Sequence, residues 1–238
     1  MEPTHFFAVR IDSKEIQNQV LNVQNHICSL DNRVQSTIID VKELHLTCCV
    51  VNISQPDILS RAIHALEETI LVLRESLLSY PISMNFAGIG HFRNKVLYAN
   101  LLEDAHGSRS RMLQLSEILK EKLIQRGVYV VDKRPMTPHL TIIKLSKDET
   151  IFSKGLKQIH PSLYKVYSTV SFGACVINSI QLCERGERDS SGYYKVTREV
   201  RIIPTVPRAL TVSLERSEPA RKVRKIYPVE EDNVTIIN

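Results

Sequence analysis

The chain has 238 residues, 43% of them hydrophobic and 24% charged, which is ordinary for a globular protein with a sizeable core. Lysine and arginine (31) exceed aspartate and glutamate (26) by five, a surplus that suits anionic ligands such as nucleotides or RNA without proving them. The sequence has no apolar run near the roughly 18 residues of a membrane span and no basic-then-apolar leader. The sequence therefore predicts neither a membrane-spanning segment nor a signal peptide.

The five cysteines are odd in number and include no CxxC pair. They are Cys28, Cys48, Cys49, Cys175 and Cys183. This pattern predicts reduced thiols in a cytoplasmic or nuclear protein. It predicts no zinc site, and nothing else in the sequence indicates a metal or a cofactor.

The first predicted elements are a strand over 4–11 and a helix that starts at the sequence DSKE. Asp12 and Glu15 have the spacing of a capping box, in which the glutamate bonds back to the amide of the cap residue. Apolar residues then recur at steps of four and three, which predicts one buried helix face. That face comprises Ile16, Val20, Val23, Ile27 and Leu30.

The middle of the chain continues the alternation of strands and helices. LHLTCCVV at 44–51 predicts a short buried strand, and 58–78 predicts a second helix. The apolar stripe of that helix is Ile63, Leu66, Ile70, Leu73 and Leu77. Segments 83–92 and 95–101 have the pattern of two paired strands.

A third helix is predicted over 109–127, where Gly127 occupies the position of a helix-ending glycine. The following segment, 134–145, predicts a strand that repeats the tripeptide HLT, with prolines that favour extended backbone at its start. Strands at 177–184 and 192–203 flank the turn-rich RGERDSSG, which predicts a hairpin with a long loop.

The composition changes after about residue 203. Scattered prolines accompany a basic RKVRK at 221–225 and an acidic EED at 230–232. We therefore predict a domain over 1–203 and a poorly ordered tail over 204–238. The basic cluster is interpreted as part of a solvated tail, with a nuclear-import or RNA-contact element as the alternative.

The order of elements, β-α-β-α-β-β followed by α-β and further strands, places one HLT strand in each half of the chain. This pattern predicts an α+β fold with two pseudo-symmetric lobes of antiparallel sheet, helices on the outside and a groove between the lobes. Side chains two positions apart on a strand share a face. His45 therefore stands beside Thr47, and His139 stands beside Thr141, while the leucine between each pair faces the core.

Two imidazoles and two hydroxyls around one groove are suited to breaking a phosphodiester. A neutral histidine takes a proton from the attacking oxygen, and a protonated one gives a proton to the leaving oxygen. Threonine hydroxyls donate hydrogen bonds to the non-bridging phosphate oxygens. The alternative is that each histidine is a structural residue of a largely apolar strand, because HxT is short enough to occur by chance.

Six stretches give the chain a wider resemblance. They are HFFAVRI, LHLTCCVV, FAGIGHFRNKVLYANL, PHLTIIKLSK, KGLKQIHPSLY and FGACVINSIQLCERGERDSSGYYKV, and the resemblance that they carry covers roughly residues 4–202, in order. In these stretches the chain resembles the two-histidine (2H) phosphoesterase superfamily, and within it the phosphoesterase domains of A-kinase anchor proteins. The hallmark of that superfamily is one HxT or HxS motif in each of two related lobes.

The resemblance implies the two-lobed fold and a metal-independent phosphodiesterase acting on 2′,5′-linked oligoadenylate or related RNA linkages, including cyclic phosphate ends. It implies that nucleotides bind in the groove and that His45, Thr47, His139 and Thr141 are catalytic. Attack by a neighbouring ribose hydroxyl, giving a cyclic phosphate, and attack by water both stay open. The rival hypothesis is a non-catalytic nucleotide-binding or scaffold module with the same fold.

Three further residues are candidates for binding substrate. Arg134 precedes the second motif and Lys144 follows it, so both are near enough to neutralise phosphate. Lys144 ranks lower because its odd spacing from Thr141 places it on the opposite strand face. Tyr193, in the hairpin strand, is the third, as a candidate for stacking on a base. The adjacent Tyr194 offers the same ring, and core packing is the alternative for both tyrosines.

The sequence departs from the anchor proteins at its C-terminal end. An anchor protein continues into an amphipathic helix that docks on the kinase regulatory dimer. Here the tail contains Pro204, Pro207, Pro219 and Pro228 and lacks a sustained apolar stripe. We therefore predict no anchoring of a kinase regulatory subunit, and the glutamate at position 2 gives no signal for N-terminal lipidation.

Overall fold

The computed structural model describes residues 2–74, 80–132 and 134–202, all of which lie within one compact unit that extends from residue 1 to 205. The predicted tail over 204–238 and the predicted stripe residue Leu77 lie outside the described residues. No helix in the described part of the chain is both long enough and apolar enough to cross a membrane.

The described strands form two antiparallel sheets, as the sequence predicts. The first sheet has the order β5-β2-β1-β8-β9. Its strands are β1 (His5–Arg10), β2 (His45–Asn52), β5 (Tyr129–Val130), β8 (Ser179–Arg188) and β9 (Tyr194–Arg201). The second sheet has the order β6-β4-β3-β7. Its strands are β3 (Ser83–Phe92), β4 (Val96–Leu101), β6 (His139–Lys144) and β7 (Ser171–Val176).

The described residues contain three α-helices: α1 (Lys14–Leu30), α2 (Pro56–Leu73) and α3 (Ser108–Gln125). Four of the five predicted stripe positions of α1 are fully buried, but Leu30, in its last position, is 55% exposed. In α2, Leu66, Ile70 and Leu73 are buried as predicted, whereas Ile63 is only half-buried. The helical periodicity therefore identified the buried faces and failed mainly at a helix end.

The predicted capping box of α1 is wrong. The helix is capped at Ser13, and no side chain bonds to its first amides. Glu15 instead lies across Gly173 of β7, where an added Cβ would come within 2.7 Å of its carboxyl carbon. The Glu15 side chain therefore packs against the second sheet and does not cap α1.

The C-terminal end of α3 is as predicted. Gly127 has a φ of +72°, a left-handed conformation that favours glycine. The Gly127 amide donates to the Ile124 carbonyl oxygen at 3.0 Å. The Val128 amide donates to the Leu123 carbonyl oxygen at 2.9 Å. These two bonds define a Schellman motif, which directs the chain from the helix into β5.

Candidate active site

The two HLT strands have the same local irregularity. In β2, Thr47 pairs with Ala8 but Cys49 pairs with Phe7, so Cys48 is an extra residue in the ladder. In β6, Thr141 pairs with Tyr98 but Ile143 pairs with Leu97. Each strand therefore forms a β-bulge at the residue that directly follows its threonine.

These bulges explain the pattern of burial along both strands. The histidines and threonines of both motifs are half-buried, and Leu46 and Leu140 between them are fully buried, as predicted. Because the bulge at Ile142 shifts the alternation by one residue, Lys144 returns to the strand face of Thr141. The prediction that Lys144 points away from that face is wrong, since a regular strand was assumed.

Each imidazole is held by a carbonyl oxygen two residues earlier in the chain. Nδ1 of His45 lies 2.7 Å from the Glu43 carbonyl oxygen, and Nδ1 of His139 lies 2.6 Å from that of Thr137. A carbonyl oxygen only accepts hydrogen bonds, so Nδ1 carries the proton in both rings. Nε2 is therefore the nitrogen that can exchange a proton with a ligand in either ring.

Aromatic side chains surround both imidazoles in a similar way. The ring of His45 contacts Phe6 and Tyr194, with centroids 5.0 and 5.1 Å away. The ring of His139 contacts Phe92 and Tyr98 at 5.0 and 5.1 Å. These rings come from β1 and β9 around the first histidine and from β3 and β4 around the second. Each motif thus depends on strands far from it in sequence.

Burial among these rings lowers the pKa of both imidazoles. The pKa of His45 falls to about 4, chiefly because burial disfavours the charged form, with the hydrogen bond to the Glu43 carbonyl opposing the shift. The positive charges of His139 and Lys144 lower it further. The pKa of His139 is also lowered from its ordinary value of 6.5, first by burial and then by Lys144. The pKa of His45 therefore depends on the protonation of His139.

A cavity of about 770 Å³ is lined by Thr47 of the first motif, His139 of the second and Arg134, whereas His45 and Thr141 are not among its lining residues. Cα atoms of β2 and β6 approach within 8 Å, so the two HLT strands lie close together although they belong to different sheets. Apolar surface in the cavity comes from Phe92, Pro135 and Met136. The volume lies in the range of small-molecule sites, roughly 300–1,000 Å³.

Arg134 is placed at the rim of this cavity by two contacts. Its guanidinium binds the Asp132 carboxylate at 2.7 and 2.9 Å, and 85% of its side chain is exposed. Its carbonyl oxygen accepts a hydrogen bond from the buried ammonium of Lys120 at 2.7 Å. The pKa of Asp132 drops to about 2, mainly through the hydrogen bond with Arg134.

Tyr193 does not reach the site. Its side chain is fully buried, and the Arg10 guanidinium covers its ring at 4.3 Å, so the prediction that Tyr193 stacks on a base is wrong. The neighbouring Tyr194 contacts His45 instead, and the Arg188 guanidinium lies 3.7 Å over the Tyr194 ring. Arg188 is held there by the Glu43 carboxylate at 2.8 Å.

Sequence reasoning missed four residues that surround the imidazoles: Phe6, Phe92, Tyr98 and Glu43. Of the two adjacent tyrosines that the sequence offered for stacking, Tyr194 contacts His45 and Tyr193 is buried in the core. The described residues contain no group of three or more His, Cys, Asp or Glu side chains arranged to hold a metal ion.

Several solved structures share this fold. A phosphoesterase structure matches with a TM-score of 0.54 and 16% identity, over 84% of this chain and 99% of that one. Escherichia coli LigT in complex with 3′-AMP matches with a TM-score of 0.51 and 14% identity, over 84% and 99%. The MHV ns2 PDE domain matches with a TM-score of 0.51 and 15% identity, over 76% and 99%. The fold is therefore that of the 2H phosphoesterases.

A protein-family model described as the AKAP7 2′5′ RNA ligase-like domain matches residues 3–202. The chain belongs to this family, within the 2H phosphoesterase superfamily.

Two curated relatives agree with this family. Human A-kinase anchor protein 7 isoform gamma is 30% identical over 194 residues, which cover 81% of this chain and 55% of that protein. Mouse activating signal cointegrator 1 complex subunit 1 is 26% identical over 226 residues, which cover 80% and 60%. The chain thus spans a little more than half the length of these relatives.

Proposed function

We propose that this protein is a phosphodiesterase that cleaves 2′,5′-linked oligoadenylate, or a related RNA phosphodiester or cyclic phosphate end, by acid–base catalysis between His45 and His139. The proposal rests on one observation: both imidazoles carry their proton on Nδ1. Each Nδ1 is bound to a carbonyl two residues earlier, which leaves Nε2 of each ring for proton transfer. A purely binding protein has no need of two such nitrogens.

The pKa values divide the roles. His45, with a pKa of about 4, is neutral near neutrality and acts as the base. His139 acts as the acid: it protonates the leaving oxygen. Thr47 and Thr141 donate hydrogen bonds to the non-bridging oxygens, and Lys144 offsets the negative charge that develops on them.

The same two proton transfers accompany attack by either nucleophile. His45 takes the proton from a neighbouring ribose hydroxyl or from water as that oxygen bonds to phosphorus. The bond from phosphorus to the leaving oxygen breaks as His139 protonates that oxygen. A ribose nucleophile gives a cyclic phosphate and water gives a linear one, so the product identifies the nucleophile.

The substrate class rests on two supports. The matching family carries a 2′5′ RNA ligase-like description, and E. coli LigT has been solved with 3′-AMP, NADP⁺ and ATP. In this chain the cavity of about 770 Å³ beside His139 offers apolar surface from Phe92, Pro135 and Met136 for a nucleobase. Arg134 at its rim supplies a cation for phosphate. We place the activity in the cytoplasm or nucleus, because all five cysteines are free thiols.

The test is incubation of the purified protein with 2′,5′-triadenylate in the presence of a chelator. Wild type should cleave it. His45→Ala lacks the general base and His139→Ala lacks the general acid, so each variant should lose at least about 100-fold in rate. The matched control is His64→Ala, which removes an exposed histidine from α2 and should leave the rate unchanged. Binding of the triadenylate by wild type without cleavage would contradict the proposal and support the nucleotide-binding module.

A further inference from the structure

Both HLT strands contain a backbone group that the β-ladder leaves without a partner. The bulges fall at Cys48 in β2 and at Ile142 in β6. A bulged residue is displaced from the ladder, so its carbonyl oxygen needs another donor. Cys48 is 3% exposed and Ile142 is fully buried, so bulk water does not serve this purpose.

A buried side chain donates a hydrogen bond to each of these carbonyls. Ser116 Oγ donates to the Cys48 carbonyl oxygen at 2.7 Å, and Gln24 Nε2 donates to the Ile142 carbonyl oxygen at 2.9 Å. Ser116 is fully buried and Gln24 is 1% exposed. Polar side chains this deeply buried are usually retained for the hydrogen bonds that they make.

Each donor lies on a helix whose preceding strand belongs to one sheet, and it bonds to a strand of the other sheet. Gln24 lies on α1, which follows β1 of the first sheet, yet it reaches the bulge of β6 in the second sheet. Ser116 lies on α3, which follows β4 of the second sheet, and it reaches the bulge of β2 in the first. Each helix therefore bonds to the motif strand of the sheet against which it packs, which is not the sheet of the strand before it in the chain.

Gln24 makes a second connection. Its Nε2 also donates to the Ile39 carbonyl oxygen at 2.7 Å, and the Ile39 amide donates to the Ile142 carbonyl oxygen at 2.9 Å. Residue 39 lies in the segment that leads to the 3-10 turn Val41–Glu43, whose last carbonyl holds His45. One side-chain amide thus joins the approach to the first histidine to the bulge that follows the second motif.

We propose that Gln24 and Ser116 are positioning residues that set the spacing and aim of the two imidazoles through the bulge carbonyls. This inference rests on the proposed function for its catalytic consequence. Removing the Ser116 hydroxyl leaves the buried Cys48 carbonyl without its side-chain donor, so that bulge must move to find another partner. Removing the Gln24 amide breaks the link between the Ile39 and Ile142 carbonyls and leaves the Ile39 amide as the donor to the Ile142 oxygen, so the second bulge loses one of its two restraints. A displacement of about 1 Å at reacting groups lowers a rate by roughly 100-fold.

The test compares Ser116→Ala and Gln24→Met with Thr69→Val. Thr69 is a matched control, because its hydroxyl is fully buried and donates to a carbonyl, that of Ala65, at 2.7 Å within α2. We expect the two positioning variants to lose roughly 10- to 100-fold in kcat on 2′,5′-triadenylate, with KM within about threefold. Thr69→Val should keep its kcat even where urea unfolding shows a comparable loss of stability.

A second measurement needs no turnover. Proton NMR titration of the His45 and His139 ring signals should give altered pKa values in both positioning variants and unaltered ones in Thr69→Val. If wild type has no activity, the proposed function fails, and this titration alone decides the inference. A kcat within twofold of wild type together with unchanged titration would overturn it. Failure of both variants to fold would also overturn it, because the side chains would then serve general stability.

Discussion

At the scale of single residues, two identical HLT tripeptides acquire different chemistry from their surroundings. His45 lies between Phe6 and Tyr194, and burial brings its pKa to about 4. His139 lines the cavity, and its pKa is also lowered. The sequence predicted which side chains share a strand face. The fixed tautomers could not be predicted from it, because the acceptors are backbone carbonyls that any residue would supply.

The first prediction concerns the pH dependence of kcat/KM. His45 must be neutral, so activity falls as the pH drops through about 4. His139 must be protonated, so activity falls as the pH rises through its pKa, which lies below 6.5. We expect a bell-shaped profile with its maximum between about 4 and 6.5, measured on 2′,5′-triadenylate. A profile that is flat from pH 4 to 8 would contradict the assignment of acid and base.

A second prediction isolates the charge of Lys144. Its ammonium lowers the pKa of both imidazoles, so Lys144→Gln should move both limbs of the kcat/KM profile to higher pH. Lys157→Gln removes an exposed lysine outside the described strands and serves as the control. Both variants should be compared at the same ionic strength. A shift of equal size in the two variants would show that only net charge matters.

The third prediction separates the adjacent tyrosines. Tyr194→Leu removes a ring that packs on His45, so it should lower kcat by roughly 10-fold through misplacement of the base. Tyr193→Phe removes only a buried hydroxyl that lies beside the weakly bonding Cys183 thiol. It should leave kcat unchanged and alter the free energy of unfolding by about 1 kcal/mol or less. Loss of activity in Tyr193→Phe would show that the wrong ring has been assigned to the site.

At the scale of secondary-structure elements, sequence periodicity predicted the strands and helices better than it predicted their ends. The third helix and its closing glycine, Gly127, were predicted because the Schellman motif is a local structure. The capping box at Asp12 and Glu15 was wrong because a contact with Gly173, about 160 residues away, uses the Glu15 side chain. The bulges at Cys48 and Ile142 have no sequence signal, since they are properties of strand pairing.

The hairpin of β3 and β4 gives the fourth prediction. An added Cβ at Gly90 would lie 2.5 Å from the ring of Tyr98, which packs on His139. Gly90→Ala should therefore displace that ring and lower kcat by roughly 10-fold. At Gly127 a Cβ would meet only Arg61, at 3.5 Å, so Gly127→Ala should cost roughly 1–2 kcal/mol of backbone strain and leave kcat unchanged. Steady-state kinetics and urea unfolding of both variants distinguish the two effects, and equal kcat values would contradict the role of Tyr98.

At the scale of the whole molecule, the two sheets do not correspond to the two halves of the chain. The first sheet joins β1 and β2 from the start of the chain to β8 and β9 from the end of the described part. The sequence predicted two antiparallel lobes and the hairpin of β8 and β9. It could not show that this hairpin pairs with β1, because pairing between strands more than 170 residues apart leaves no local pattern.

This topology yields the last prediction, which compares two truncated chains. A chain of residues 1–203 keeps every described strand, so it should unfold in one cooperative transition and retain wild-type kcat. A chain of residues 1–178 lacks β8 and β9, which leaves β1 as an open edge and removes Tyr194 from His45. It should show neither cooperative unfolding nor cleavage of 2′,5′-triadenylate. Activity in the shorter chain would mean that the first sheet does not need its C-terminal hairpin, and loss of activity in the longer one would place part of the function in residues 204–238.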